Sequence, residues 1–250
     1  EMLVGEKFGI ASSKVVIEEF LDGIELSCFV LTDGVNYKVL PTAKDYKRIG
    51  EGDTGLNTGG MGAISPVPFA NEKLLKKIEQ NIIVPTIQGL KKDDIEYQGF
   101  IFIGLINVNN EPKVIEYNVR MGDPETEVVL PRIQNDIVEI FQSFKNKTLD
   151  KIELNVDHRS AATVVLVSGG YPSNYNKGIK ITGIDHVVDS TVYHAGAVQK
   201  KEDVYTNGGR VLAITSFGNN FQEALTNSYK SASRVNFEGM YYRKDIGFDL

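Results

Sequence analysis

An α+β architecture in two units is what this sequence predicts: an antiparallel sheet with helices, then a smaller α+β unit. Three observations carry it. Apolar runs of strand length sit in neighbouring pairs across two-residue turn signals, Asp33-Gly34 and Asn109-Asn110, the pattern of antiparallel pairing. Helical periodicity is confined to a few stretches, near residues 71–90, 136–145 and 220–234. The texture of the chain also changes after a polar stretch at residues 146–157, which reads as a linker. The expected division is 1–155 and 156–250.

Taken in order, residues 1–9 read as the end of a helix that Gly9 can terminate. Residues 15–20 and 26–32 are rich in β-branched and aromatic side chains and read as strands, with a third strand at 37–40. Residues 41–68 hold glycines at 50, 52, 55, 59, 60 and 62 and read as a long functional loop. Asn71 caps a helix with an apolar stripe of Leu74, Leu75, Ile78, Ile82 and Ile83, which Pro85 should kink. Residues 99–108 are apolar nearly throughout and pair with 112–118 in a hairpin. A short helix at 136–145 turns Ile137, Ile140, Phe141 and Phe144 to a core. In the second unit the expected strands lie at 161–167, near Lys180, near Val192, at 210–216 and near 240–243, with a helix at about 220–234.

Composition narrows the function. The 250 residues are 42% hydrophobic and 24% charged, enough apolar content for a sizeable core. A formal net charge of −6 argues against a nucleic-acid or anionic-membrane surface. No apolar run approaches the length of a spanning helix, and no secretory leader opens the chain. The single cysteine, Cys28, lies in an apolar strand and is expected to be a buried small hydrophobe. A reducing compartment, the cytoplasm, is the expectation. The chain opens on Glu1, which suggests an upstream segment.

The chemistry concentrates in a few segments. In Glu116-Tyr117-Asn118-Val119-Arg120, strand alternation turns Glu116, Asn118 and Arg120 the same way. A carboxylate, an amide oxygen and a guanidinium on one face suit a hard cation and the phosphate it carries, although a surface salt-bridge ladder has the same residues. Asp123 and Glu125, just beyond, can orient Arg120, bind an amine, or simply be turn residues around Pro124. In residues 15–25, Glu18 and Glu19 close an apolar strand whose free backbone groups can pair with an adenine edge; an ordinary strand meeting solvent looks similar. Lys44-Asp45-Tyr46-Lys47-Arg48 precedes Asn57-Thr58-Gly59-Gly60-Met61-Gly62, where glycines permit the backbone to fold around an anion. No Gly-Lys-Ser/Thr follows those glycines, so this is not the common triphosphate loop. Asn207-Gly208-Gly209-Arg210 reads as a hairpin turn, with an arginine that can also touch a phosphate. His158, His186 and His194 are scattered without metal-ligand spacing.

These blocks together resemble the phosphoribosylamine–glycine ligase (glycinamide ribonucleotide synthetase) family of ATP-grasp enzymes. The resemblance is carried by Glu18-Glu19-Phe20-Leu21-Asp22-Gly23, Asp45-Tyr46-Lys47-Arg48, Asn57-Thr58-Gly59-Gly60-Met61-Gly62, Val114 through Glu125, Thr206-Asn207-Gly208-Gly209-Arg210-Val211 and Arg243-Lys244-Asp245-Ile246-Gly247. It implies the large lobe of an ATP-grasp domain followed by a small C-terminal α+β domain. It implies a magnesium- or manganese-dependent reaction in which ATP phosphorylates glycine. The amine of 5-phosphoribosylamine then attacks glycyl phosphate, giving glycinamide ribonucleotide, ADP and phosphate. By the same resemblance Glu18, Glu19, Phe20 and Leu21 line the adenine, and Glu25 holds the ribose. Glu116 and Asn118 hold the metal, and Arg120 steadies the transferring phosphoryl group. Asp45, Lys47, Arg48, Asn57, Thr58, Gly59, Gly60, Gly62 and Asp123 border the substrate pocket.

The chain departs from the family at the front, where the N-terminal domain and the small lobe with its lysines and glycine-rich flap are missing. The resemblance therefore implies a chain that is inactive alone and needs its N-terminal segment. Tyr46, Tyr117, Val119 and Met121 stand where His, Phe, Cys and Phe are commoner. Another ATP-grasp carboxylate–amine ligase, or a non-catalytic nucleotide-binding or association fragment, are the alternative readings.

Overall fold

The computed structural model describes Gly9 and residues 13–250, so the helix end expected at residues 1–9 lies, but for Gly9, outside the described residues. The first sheet has four strands: β1 (Ile24–Thr32), β2 (Tyr37–Val39), β7 (Gly99–Val108) and β8 (Glu111–Asn118), in the order β2-β1-β7-β8. All its pairings are antiparallel. The hairpin between β7 and β8 turns on Asn109 and Asn110, whose φ values of 52° and 65° are the left-handed pair that matches strand twist.

Alternation on β1 and β7 sorts two cores. Leu26, Cys28, Val30, Ile101, Ile103 and Leu105 face a helix on one side of the sheet. Phe29, Leu31 and Phe102 face the other side, with Val128, Val129, Ile140 and Leu149. The covering helix is α1 (Glu72–Ile78), a π turn (Glu79–Ile83) and α2 (Val84–Lys92) in continuous succession. Asn71 caps it as expected, its side chain accepting from Leu74 N. The kink expected at Pro85 takes the form of this π turn: proline has no N–H to give, and the turn before it widens so that Val84 N bonds Glu79 O.

The second sheet has five strands in the order β11-β14-β9-β6-β3. They are β3 (Lys44–Asp45), β6 (Gly62–Ser65), β9 (Ser160–Val167), β11 (Thr191–His194) and β14 (Arg210–Gly218). α5 (Phe221–Ala232), capped by Asn220, packs across it through Ala224, Leu225 and Ala232. This sheet takes strands from both sides of residue 155, so the division at 155/156 follows chain order and not sheet membership. The physical reason is β6: its Gly-Ala-Ile-Ser lacks the bulky alternation of a strand, yet all of it is buried between β3 and β9. The two sheets meet at Ala43, which exchanges both backbone hydrogen bonds with Ser27 of β1 before the chain turns into β3.

Five further expectations are corrected. Residues 15–20 form no strand; Val16, Ile17 and Phe20 are exposed, because no described strand lies beside them to pair with. Residues 41–68 are mostly structured, adding the hairpin β4 (Arg48–Gly50) and β5 (Thr54–Asn57) to β3 and β6. Residues 240–243 make one bridge, Val167 to Tyr241, and not a strand. The stretch 146–157 is not a free linker: Leu149 is fully buried and its N–H is held by Asp33 Oδ2. A small third sheet joins β10 (Lys180–Ile181), β13 (Asp203–Thr206) and β12 (Ala197–Lys200). Its turn at Lys201, with φ of 57°, was invisible in the residue pattern. Residues 207–209 connect β13 to β14, which belong to different sheets, so they are a crossover and not a hairpin turn. α4 (Ile137–Lys145) is capped by Asp136, which accepts from Val138 N, and turns Ile137, Ile140 and Phe144 to the core as expected, but Phe141 is exposed.

Candidate active site

One face of the first sheet is left open beyond Phe29 and Phe102, and there the polar residues gather. A β-bulge decides which ones. Gly104 pairs with Glu116 but Leu105 pairs with Val114, so Ile115 is the extra residue. The bulge shifts the alternation, and Lys113, Glu116 and Asn118 emerge on the same face as Glu25 and Ser27. Gly104 makes space for this: a Cβ there would sit 3.0 Å from Glu116 Cγ. Arg120, just past the strand, turns back, its Nη1 donating to Met121 O at 2.8 Å and its Nη2 lying 3.4 Å from Asn118 Oδ1.

Facing this strand is a partly buried charge cluster brought in by the Ala43 corner. Lys47 Nζ donates to Glu25 Oε2 at 2.5 Å and lies 4.0 Å from Asp45 Oδ1. Ser27 Oγ donates to Glu125 Oε1 at 2.9 Å, and Glu125 is only 3% exposed. Burial, with the charge of Asp45 added, pushes the Glu125 carboxyl up to about 7. Burial raises Asp45 too, against the pull of Lys47. Burial works against the Lys47 ammonium, but Asp45 and Glu25 outweigh it and leave Lys47 above its ordinary value. The cluster is thus an acidic pocket holding one cation. Beside it lies a cavity of about 420 Å³ lined by Glu18, Glu19, Phe20, Leu21, Glu25 and Lys113, among others.

The glycine loop behaves differently from its expectation as an anion cradle. Its N–H groups are already used: Thr58 N bonds Lys47 O, Gly59 N bonds the Tyr171 hydroxyl, Gly60 N bonds Thr58 Oγ1 and Met61 N bonds Tyr46 O. Glycine is needed instead for close approach. At Gly60 φ is +116°, and a Cβ would lie 2.2 Å from Pro124 Cδ. Gly62 belongs to the buried strand β6, and Asn57 to the exposed strand β5. Arg48 turns away, Nη1 donating to Gly55 O in its own hairpin. Asp123 is held bidentately by Arg210, at 2.8 and 2.9 Å, and Arg210 Nη1 also donates to Gly59 O at 2.7 Å. The structure therefore brings Glu25, Asp45, Lys47, Glu116 and Asn118 together and places Arg48 and Asn57 elsewhere.

Sequence reasoning missed or left open three contributors. Ser27, a hydroxyl in the middle of an apolar strand, was a signal that was available. Glu125 was visible, with orienting Arg120, binding an amine and a turn role all left open. Arg210 had its partner in Asp123, 87 positions earlier in the chain, which no local pattern reveals.

Among the described residues no group of three or more His, Cys, Asp or Glu side chains is arranged to hold a metal ion by itself. Nor is any helix long and apolar enough to cross a membrane. The profile of the family described as "Phosphoribosylglycinamide synthetase, ATP-grasp (A) domain" matches residues 1–126, and that of its C domain matches 161–249. The chain belongs to the phosphoribosylglycinamide synthetase family. Phosphoribosylamine–glycine ligase of Vibrio vulnificus (strain CMCP6) is 45% identical over 251 residues, covering 99% of this chain and 58% of the relative. The same-named protein of Pseudomonas aeruginosa is 43% identical, with the same coverage. The chain thus spans less than two thirds of the length of these relatives. Among solved structures, phosphoribosylamine–glycine ligase of Thermotoga maritima superposes with a TM-score of 0.82 at 37% identity, covering 91% of this chain and 56% of that one. Urea carboxylase of Kluyveromyces lactis, at 14% identity and a TM-score of 0.64, shares the fold alone.

In this synthetase chain the Arg210 clamp yields a direct prediction. Arg210→Met should raise amide exchange at residues 57–62 and 121–125 by roughly tenfold or more, while global stability falls by only about 1 kcal/mol. Unchanged exchange in both loops would show that the glycine packing at Gly60 holds them without the arginine.

Proposed function

We propose that this chain carries the nucleotide- and metal-binding half of a ligase that joins glycine to 5-phosphoribosylamine at the expense of ATP. The observation that carries the reading is the open sheet face on which Glu25, Lys113, Glu116 and Asn118 adjoin the partly buried Asp45–Lys47–Glu125 cluster. Glu116 and Asn118 offer one carboxylate and one amide oxygen on one face, a donor set that fits magnesium or manganese with phosphate and water in the other positions. The cation, when bound, screens the charge of the transferring phosphoryl group.

The chain's own residues have these roles. The cavity at Glu18, Glu19, Phe20 and Leu21 takes the adenine, and Glu25 accepts the ribose hydroxyls. Arg120, on an exposed loop, holds the phosphoryl oxygens. Lys47, kept charged by its acidic neighbours, faces the phosphate side. Asp45 and Glu125 provide the acidic pocket for amino groups. When the amine nitrogen attacks the acyl phosphate, the C–N bond forms and the C–O bond to phosphate breaks. Glu125, poised near neutrality, takes the proton that the nitrogen sheds. Thr58, Gly59, Gly60 and Asp123 border this pocket as a rigid wall.

The full reaction is assigned to the longer protein, in which a preceding segment supplies the water-excluding cover, and its setting is the cytoplasm. Magnesium-ADP titrated calorimetrically into this chain should bind, and Glu116→Ala should weaken that binding by about a hundredfold. Equal binding by the variant would remove Glu116 from the metal site. In the full-length protein, ADP release that depends on bicarbonate and not on glycine would replace the proposed substrate.

A further inference from the structure

A second cavity, mostly apolar but with two charged residues in its lining, lies apart from the active-site face. It measures about 370 Å³ and is lined by Leu40, Thr42, Ala70, Leu75, Glu79 and Arg132, among others. None of the residues assigned to nucleotide, metal or substrate belongs to it.

Its basic member is unusual. Arg132 is 4% exposed, yet all three of its hydrogen bonds go to neutral oxygens. Nε donates to Arg159 O, Nη1 to Ser65 Oγ and Nη2 to Asp157 O, each at 2.9 Å. A guanidinium carries five N–H groups, so two are left over. The neighbouring Asp157 carboxylate is turned to Arg159, at 2.7 Å. A buried charge whose partners are all neutral carries a desolvation cost that an anion beside it would offset. Thr42, 6% exposed, adds a hydroxyl that accepts a long 3.5 Å contact from Val67 N and donates to no protein group.

Glu79 also lines the cavity. It begins the π turn of the covering helix, and its Oε1 accepts from the Tyr37 hydroxyl at 2.8 Å. No donor among the described residues takes its other oxygen. A simple anion would be repelled by Glu79, and a simple amine by Arg132. Leu40, Ala70 and Leu75 add aliphatic walls.

We propose that this cavity binds a free α-amino acid with a branched aliphatic side chain. The carboxylate sits on Arg132 and Thr42, the ammonium on Glu79, and the side chain against Leu40, Ala70 and Leu75. Thr42 directly precedes Ala43, the corner that sets Asp45 and Lys47 over the active-site face, so an occupant would touch the strand that carries them.

The test is calorimetric titration of this chain with L-valine, which should bind with an affinity on the order of millimolar. Isovalerate, which lacks the amine, should bind about tenfold more weakly. Glu79→Gln should weaken L-valine to the same degree, and Ala70→Trp, which fills the cavity, should abolish it. Glu116→Ala should leave it unchanged, which separates this site from the nucleotide reading. Arg132→Met should also abolish binding, and the two milder variants keep the test sound if Arg132 proves necessary for folding. No saturable binding of L-valine overturns the proposal. So does binding that survives Ala70→Trp, or that is indifferent to both Glu79→Gln and the missing amine.

Discussion

Arg243→Ala should lower folding stability by about 2 to 5 kcal/mol, from the cavity left by a fully buried side chain and the loss of its pairs with two partly exposed carboxylates. Arg243 is completely buried. Its Nε and Nη2 reach both oxygens of Asp245 at 2.8 Å, and its Nη1 reaches Asp53 Oδ1 at 2.6 Å and Arg48 O at 3.1 Å. The guanidinium also lies 5.5 Å from the centre of the Tyr46 ring and 5.7 Å from that of Phe248. One side chain thus ties the C-terminal residues to the β4–β5 hairpin and to the strand segment that leads to Asp45 and Lys47. Truncation would leave Asp245 without its cation and open a cavity beneath Tyr46. Arg243→Lys should cost less, since it keeps the charge and loses only the fork geometry. Urea unfolding of the three proteins measures this, and a loss below about 1 kcal/mol in the alanine variant would mean the buried pairs carry no net stability.

Glu125 should make stability fall as pH rises across the acid-to-neutral range. Its carboxyl ordinarily titrates near 4.5 and in the fold is pushed up to about 7 by burial and by Asp45. Between those values the folded protein holds a proton that the unfolded chain has released. The stabilising contribution is therefore complete below 4.5 and lost as pH climbs through 7. The span corresponds to roughly 3 kcal/mol for this nearly fully buried group. Glu125→Gln keeps an acceptor for Ser27 and cannot titrate, so its stability curve should be flatter from acid to neutral pH. Asp45 and Glu127 are raised in the same direction, so Asp45→Asn added to Glu125→Gln should flatten the curve further without removing its slope. Denaturant midpoints across this range decide it. A parent protein whose stability rises over the same interval would place Glu125 ionised in the fold. Under the proposed function, Glu125→Gln in the longer protein should also slow the amide-forming step, because the amide cannot take the amine's proton.

The sequence alone determined most of what depends on neighbouring residues. The cap at Asn71 was legible because a short side chain that reaches its own helix start is a local device. The Asn109-Asn110 turn followed from backbone sterics, and the burial of β7 followed from its unbroken apolar run. The family was legible because each of its polar blocks is contiguous, although together they run from Glu18 to Gly247. What the sequence could not reveal arises from contacts between distant residues. Residues 15–20 carry the composition of a strand, but a strand exists only where a partner accepts its hydrogen bonds. β6 has weak strand composition and is a central strand because β3 and β9 flank it. The bulge at Ile115 decides which residues share a face with Glu116, and it exists only in the pairing with β7. The glycine loop reads as an anion cradle until Tyr171, Tyr46 and Arg210 take its polar groups. The raised carboxyl of Glu125 and the neutral hydrogen-bond partners of Arg132 are likewise products of the tertiary structure, which decided them by bringing distant groups together and excluding water from them.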